Sequence, residues 1–181
     1  MDLDRKFYAY ADLLEKGDIM FTYNRKNLLS RLIYWFSRKN STDPEVSHVL
    51  IHIGGWIVIE ASNGGTKLNH IKKYTEKKYN IIVGYIDGAD TTKLVDYALE
   101  QLDTPYATFQ LFWIILKKWF RVGGTSDAQP DALICSELVS KSAMAAGVIL
   151  GNGDAALQSP LELLKDPAVK VRYPSISVPQ I

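Results

Sequence analysis

The feature that most constrains the fold is a pair of apolar segments joined by two glycines. Residues 46–53 and 56–61 are rich in Val, Ile and Leu, and Gly54-Gly55 separates them. Two β-prone segments joined by such a pair favour an antiparallel hairpin. We therefore expect two paired strands in the first half of the chain.

The remaining pattern favours strands in the first half and helices in the second. Thr91 or Thr92 can cap a helix, and Gly147 occupies a position that ends one. Predicted strands are 19–23, 46–53, 56–61 and 81–86, and predicted helices are 27–38, 91–102, 106–120 and 131–146. Turns and a short helix are expected from Pro160 onward. Because neither a repeat nor a linker interrupts the sequence, we expect a single α+β domain over residues 1–181.

Composition narrows the classes of partner and compartment. The chain has 181 residues, 47% of them hydrophobic, and a formal net charge of +1. Such a small charge gives no global attraction for nucleic acid, so no nucleic-acid partner is expected, and the lysine-rich segment 67–78 is interpreted as a solvated face. Residues 1–6 carry charges of both signs, which argues against a signal peptide, and the apolar stretch 109–116 is too short to span a bilayer. We expect a protein that is cytoplasmic at synthesis, with later delivery elsewhere left open.

Cys135 is the single cysteine, so it can form neither an intramolecular disulfide nor a multi-cysteine zinc site. It lies near the start of the predicted helix 131–146, where the helix dipole and unpaired backbone N–H groups favour a thiolate. The position of Cys135 in the sequence leaves two interpretations open: an inert buried cysteine or a reactive thiol.

A base and an acid are available on the predicted hairpin. His48 lies early in the first strand, and Glu60 lies near the end of the second. The simplest register places Glu60 opposite residue 49, and one residue of shift or a bulge brings its carboxylate against His48. His52 lies on the same strand face and is a rival base, although a structural histidine is the preferred interpretation. Cys135, His48 and Glu60 are thus a candidate nucleophile, base and orienting acid.

Several short motifs together resemble a known family. In chain order they are Gly17-Asp18-Ile19-Met20-Phe21, Ser47-His48-Val49, Ile59-Glu60-Ala61, Thr104-Pro105-Tyr106 and Cys135-Ser136-Glu137-Leu138-Val139. They resemble the circularly permuted papain-like hydrolases of the YiiX/YaeF type, within the NlpC/P60 superfamily. The resemblance implies an antiparallel sheet packed against helices, with the nucleophile at a helix N-terminus. It also implies Cys135 as nucleophile, His48 as base and Glu60 as the residue that holds the imidazole tautomer.

The implied reaction is attack on an amide or ester carbonyl through a thioester intermediate. The leading expectation is an amidase or peptidase acting on a peptide or peptidoglycan-like substrate. Action on peptidoglycan would need lysis or a delivery apparatus, as with a phage-encoded protein. The alternatives are a lipid acyltransferase or acyl-thioesterase with the same triad, although the Asn-Cys-Glu-His-Phe signature of the lecithin:retinol acyltransferase type is absent, and a non-catalytic binding or virion module.

The other expectations concern substrate contacts and surfaces. Tyr23 and Tyr106 are candidate donors to a substrate oxygen, and no metal or cofactor is expected. Segments 28–39 and 109–121 combine apolar, aromatic and basic residues. The preferred interpretation is a helix packed on the sheet with basic residues at its rim. The alternative is a surface for an acyl chain or for peripheral membrane contact. The oligomeric state is not predicted.

Overall fold

The structure is a computed structural model that describes residues 13–74, 78–105, 134–151, 153 and 158–174. Within these ranges the chain has an α+β architecture, as predicted. The strands are β1 (Ile19–Asn24), β2 (His48–Gly54), β3 (Ile57–Ser62), β4 (Gly65–His70), β5 (Tyr79–Ile86) and β6 (Val169–Tyr173). The helices are α1 (Leu28–Ser37), α2 (Thr91–Glu100), α3 (Cys135–Ala145) and α4 (Pro160–Leu164). A 3₁₀ turn covers Ile71–Tyr74.

The described strands form one six-stranded sheet in the order β4-β3-β2-β1-β5-β6. Every neighbouring pair is antiparallel. The C-terminal ends of β1 and β3 therefore lie at the same end of the sheet as the N-terminal ends of β2 and β5. This end carries His48, the first residue of β2.

Strand alternation divides the buried side chains between the two sheet faces. Helices α2 and α3 pack on one face, in a cluster that includes Phe21, Ile51, Ile59, Leu94, Cys135 and Leu138. The other face is covered in part by the 3₁₀ turn, in a cluster that includes Met20, Leu50, Val58, Ile71 and Tyr74. Successive residues of β2 and β3 therefore point to opposite faces of the sheet, one toward α2 and α3 and the next toward the 3₁₀ turn.

Two strands were not predicted from the sequence. The lysine-rich segment contributes β4, and β6 lies within the tail that was expected to form only turns and a short helix. Both lie at the edges of the described sheet and carry charged residues, as edge strands often do. β4 shows little apolar alternation, whereas β6 alternates Val169, Val171 and Tyr173 with Lys170 and Arg172, a strand pattern that the sequence reasoning missed. The predicted helix 106–120 lies outside the described residues. None of the helices in the described ranges is long and apolar enough to cross a membrane.

The pairing of β5 with β6 depends on a glycine, and this gives a stability prediction. A Cβ atom on Gly84 would lie 2.6 Å from the backbone oxygen of Lys170 on β6. We expect Gly84→Ala to lower the free energy of unfolding by about 1–3 kcal/mol, because backbone atoms must move apart. Urea denaturation measures the change.

The matched control is Val171→Ala on the facing strand. Val171 pairs with Gly84 but is 47% exposed, so its truncation should change stability by less than about 0.5 kcal/mol. Equal stabilities of Gly84→Ala and the wild type would contradict the tight packing of β5 against β6.

Candidate active site

Cys135 is the first residue of α3, and Ile134 is the N-cap. The first backbone bond of the helix runs from the Leu138 N–H to the Ile134 carbonyl at 3.0 Å, and the cap residue makes no side-chain hydrogen bond. The N–H groups of the first turn, at residues 135–137, therefore have no acceptor within the helix. The thiol is 5% exposed and lies at the positive end of the helix dipole. This placement is the one that the sequence predicted.

His48 connects the thiol to the hairpin. Its Nε2 lies 2.5 Å from Glu60 Oε2, and the same imidazole lies beside the Cys135 side chain and interacts with it electrostatically. Its side chain is 22% exposed, whereas that of Glu60 is 1% exposed. The structure therefore brings Cys135, His48 and Glu60 into one continuous chain of contacts.

The contact between His48 and Glu60 depends on an irregular register in the hairpin. Ile51 pairs with Ile59 and His52 with Val58, but Gly54 pairs with Ile57, so the register shifts by one residue near the turn. Continued along the strands, this register puts Glu60 across from Leu50, on the face that also carries His48. The one-residue shift that the sequence analysis required is present. Without it, Glu60 would point to the opposite face.

Three further side chains hold the Glu60 carboxylate. Lys73 Nζ donates to Oε1 at 2.6 Å, Asn69 donates to the same oxygen, and the Tyr74 hydroxyl donates to Oε2. Sequence reasoning missed all three residues. It assigned Lys73 to a solvated patch, and the Lys73 side chain is 41% exposed, but its ammonium group also contacts Glu60. A usable signal was the alternation of Lys67 and Asn69, because β4 pairs Lys67 with Glu60 and brings Asn69 to the same side.

Electrostatics favour charged forms of the imidazole and the carboxylate. Burial disfavours the imidazolium, but the charge and hydrogen bond of Cys135, followed by those of Glu60, raise the pKa of His48 to about 10. Burial also opposes ionisation of Glu60, yet hydrogen bonds and charge from His48, together with Lys73 and Tyr74, hold the pKa of this carboxyl well below its usual range. Burial and the neighbouring Glu60 charge raise the pKa of Tyr74, so its hydroxyl remains a donor. The site therefore holds an imidazolium between the Cys135 sulfur and the Glu60 carboxylate.

A cavity of about 350 Å³ opens beside these residues. Apolar side chains form much of its wall: Leu29, Ile33, Phe36, Ile134 and Pro160. Hydroxyl groups of Ser62 and Ser136 also line it, and neither oxygen has a hydrogen-bond partner among the described residues. A molecule in this cavity would lie next to Cys135 and His48.

Tyr23, a sequence-predicted substrate contact, is not among the described residues that line this cavity. Tyr23 is buried and packs edge-on against Tyr34, with ring centroids 5.4 Å apart, because alternation along β1 points it away from Thr22 and Asn24 of the cavity wall. This placement does not support a substrate contact for Tyr23. Tyr106 lies outside the described residues.

His52 has a structural environment rather than a catalytic one. It is 1% exposed, and its Nδ1 and Nε2 lie 2.8 and 2.9 Å from the carbonyl oxygens of Glu15 and Gly55. Both ring nitrogens are therefore engaged with backbone, and His48 is the histidine that faces the thiol. The described ranges contain no group of three or more His, Cys, Asp or Glu side chains suited to a metal ion.

The charge on His48 can be tested by titration. We expect its ring resonances, followed by NMR, to titrate near pH 10 instead of near the 6.5 of an unperturbed histidine. Because the folded-state pKa is the higher one, the stability due to the imidazolium is complete below about pH 6.5 and disappears as the pH rises through about 10.

Cys135→Ala should lower the pKa of His48, because it removes the largest contribution that raises it. The His48→Gln variant assigns the resonance. A His48 signal that titrates near 6.5 in the wild type, or that does not respond to Cys135→Ala, would contradict a charged pair.

A second prediction concerns the carboxylate. Tyr74→Phe removes a buried donor to Glu60 without changing ring packing, and we expect it to lower the free energy of unfolding by about 1–3 kcal/mol. Tyr173→Phe is the control, since its exposed hydroxyl makes only a 3.5 Å contact with the Leu13 carbonyl. If the two variants unfold at the same urea concentration, the Tyr74 hydroxyl does not stabilise the buried charge.

Comparison with known proteins adds no family to this geometry. Neither a scan against protein-family models nor a search of curated protein sequences found a match to the chain. The candidate site is therefore defined by its own residues: a thiol at a helix N-terminus, an imidazole in contact with it, and a buried carboxylate behind the imidazole.

Proposed function

We propose that this protein is a thiol-dependent hydrolase that attacks an amide carbonyl in a peptide or peptidoglycan-like substrate. The observation that carries the proposal is the continuous contact from Cys135 through His48 to Glu60 at the edge of a cavity. A buried unreactive cysteine needs neither a histidine in contact with it nor a carboxylate behind that histidine. The same arrangement supports a permuted papain-like fold as part of this proposal.

In the proposed reaction, the Cys135 thiolate adds to the carbonyl carbon and forms a carbon–sulfur bond. Negative charge moves to the carbonyl oxygen, where the N–H groups of the first turn of α3, which have no acceptor within the helix, can stabilise it. His48 gives its proton to the leaving nitrogen as the carbon–nitrogen bond breaks, which leaves a thioester. Water then attacks the thioester as His48 takes a proton from it, and the acid product leaves with regeneration of the thiolate and imidazolium.

Glu60 acts on the imidazole and does not touch the substrate. Because Nε2 of His48 faces the carboxylate, Nδ1 is left to exchange a proton with the reacting groups. The hydrogen bonds from Lys73, Tyr74 and Asn69 fix the carboxylate, and through it the ring orientation.

A second candidate uses the same triad on an acyl ester, thioester or lipid amide. The observation that favours it is the apolar wall formed by Leu29, Ile33 and Phe36, which suits a hydrocarbon chain. Hydrolysis of peptide amides compared with acyl thioesters of increasing chain length discriminates between the two substrate classes.

The test of the thiol chemistry is alkylation of Cys135 with iodoacetamide at neutral pH. We expect a rate about tenfold above that of a free model thiol, of which only a few per cent is thiolate at pH 7. His48→Ala should slow the reaction to or below the model rate, and Glu60→Gln should slow it less. Cys135→Ala should abolish turnover while the thermal midpoint stays within a few degrees of the wild type.

His70→Ala is the matched control, because His70 lies on β4 and does not line the cavity. It should leave the alkylation rate unchanged. A wild-type rate no faster than that of the model thiol would remove the catalytic assignment and favour a non-catalytic binding module.

A further inference from the structure

Helix α1 presents one stripe of apolar side chains outward. Leu28 is 69% exposed, Leu32 is 40% exposed and Trp35 is 56% exposed, and spacings of four and three residues place them on one stripe. Ser30 is the only residue of α1 that is buried. The expectation that the apolar side of segment 28–39 packs on the sheet was therefore wrong for these three residues.

Polar and aromatic contacts on the inward side of α1 account for this orientation. Asn27 caps the helix by accepting from the Ser30 N–H at 3.0 Å, and the Ser30 hydroxyl is hydrogen-bonded to Ser47. Tyr34 donates its hydroxyl to the Asp43 carbonyl at 2.9 Å and packs edge-on against Tyr23. These contacts attach the helix to the domain without using its aliphatic stripe.

The segment that carries the exposed stripe is rich in positive charge. Segment 25–39 contains five basic residues and no acidic one, although the whole chain has a net charge of only +1. The basic residues are Arg25, Lys26, Arg31, Arg38 and Lys39. Of these, Arg25 makes an ion pair with Glu45 at 3.5 Å, and the other four make none with carboxylates of the described ranges. Among the described residues, the positive charge of this segment is therefore mostly uncompensated.

We propose that α1 docks on an anionic lipid surface, with Leu28, Leu32 and Trp35 inserted between the lipids. An exposed apolar stripe that contains tryptophan and is flanked by lysine and arginine is the pattern of a helix that lies in a membrane interface. Each basic side chain near such a surface adds attraction to anionic headgroups. A second copy of this chain fits the stripe less well, since a two-fold pairing would bring two positively charged helices together.

The position of the cavity agrees with this docking surface. Leu29, Ile33 and Phe36 of the same helix line the cavity that contains Cys135. The face of the helix proposed to dock and the face that lines the cavity are therefore next to each other. Docking does not require the proposed thiol chemistry, so its test uses Cys135→Ala protein alongside the wild type.

The test is co-sedimentation with vesicles of phosphatidylcholine alone and of phosphatidylcholine containing about one-third phosphatidylglycerol. We expect wild type and Cys135→Ala to bind the anionic vesicles equally, and at least about tenfold more tightly than the neutral ones. High salt should weaken this binding. Replacing both Leu32 and Trp35 by Ser should weaken it at least about tenfold, and so should Arg31→Glu combined with Arg38→Glu.

The matched control is Met144→Ser combined with Ile149→Ser. These residues are 57% and 67% exposed, at the far end of α3 and beyond it, away from α1. They should leave vesicle binding unchanged, and thermal midpoints should show that all variants are folded. The proposal is overturned if the wild type binds neither vesicle, or if the α1 variants bind as well as the wild type. It is also overturned if the stripe instead mediates a dimer, which size-exclusion chromatography with light scattering would detect in the wild type and not in the Leu32/Trp35 variant.

Discussion

The buried carboxylate of Glu60 is the interaction on which the candidate site depends. An ionised carboxylate at 1% exposure is costly unless donors replace its water shell. His48, Asn69, Lys73 and Tyr74 supply those donors from β2, β4 and the 3₁₀ turn. Because several elements converge on one charge, the contacts that stabilise the carboxylate also fix the imidazole. Stability and ring orientation therefore have the same physical source in this protein.

The two faces of the sheet contribute different parts of the site. Cys135 belongs to the helix-covered face, where α3 packs through Leu138 and Val139. Glu60 lies on the other face, with Val58 and Tyr74. His48 connects them because it is the first residue of its strand, at the open end of the sheet. A residue further along β2 would be enclosed between strands and could contact only one side.

Much of this arrangement could be predicted from local sequence. Apolar alternation and the Gly54-Gly55 turn indicated the hairpin, and the need for a partner to Glu60 indicated its irregular register. Asn69, Lys73 and Tyr74 were missed because they lie in a lysine-rich segment, whose pattern resembles that of a solvated face. Their role becomes visible only when β4 is paired with β3 and the 3₁₀ turn that follows β4 is placed against Glu60. The outward orientation of Leu28, Leu32 and Trp35 was not the preferred prediction. Helical periodicity shows which residues share a face of the helix, but not whether that face points toward the sheet or toward solvent.

The sequence by itself determined the α+β class, the hairpin, and the three residue types available for nucleophilic chemistry. Those features follow from local preferences, namely strand alternation, helical spacing and turn glycines. Tertiary structure decided which groups meet: that the His48 imidazole lies between a thiol and a carboxylate, and that Lys73 is drawn to Glu60. It also decided that α1 turns Leu28, Leu32 and Trp35 outward. These outcomes depend on strand register and on packing between distant segments. The contacts of one buried carboxylate, or of Ser30 and Tyr34 on α1, contribute more there than the preferences of neighbouring residues in the sequence.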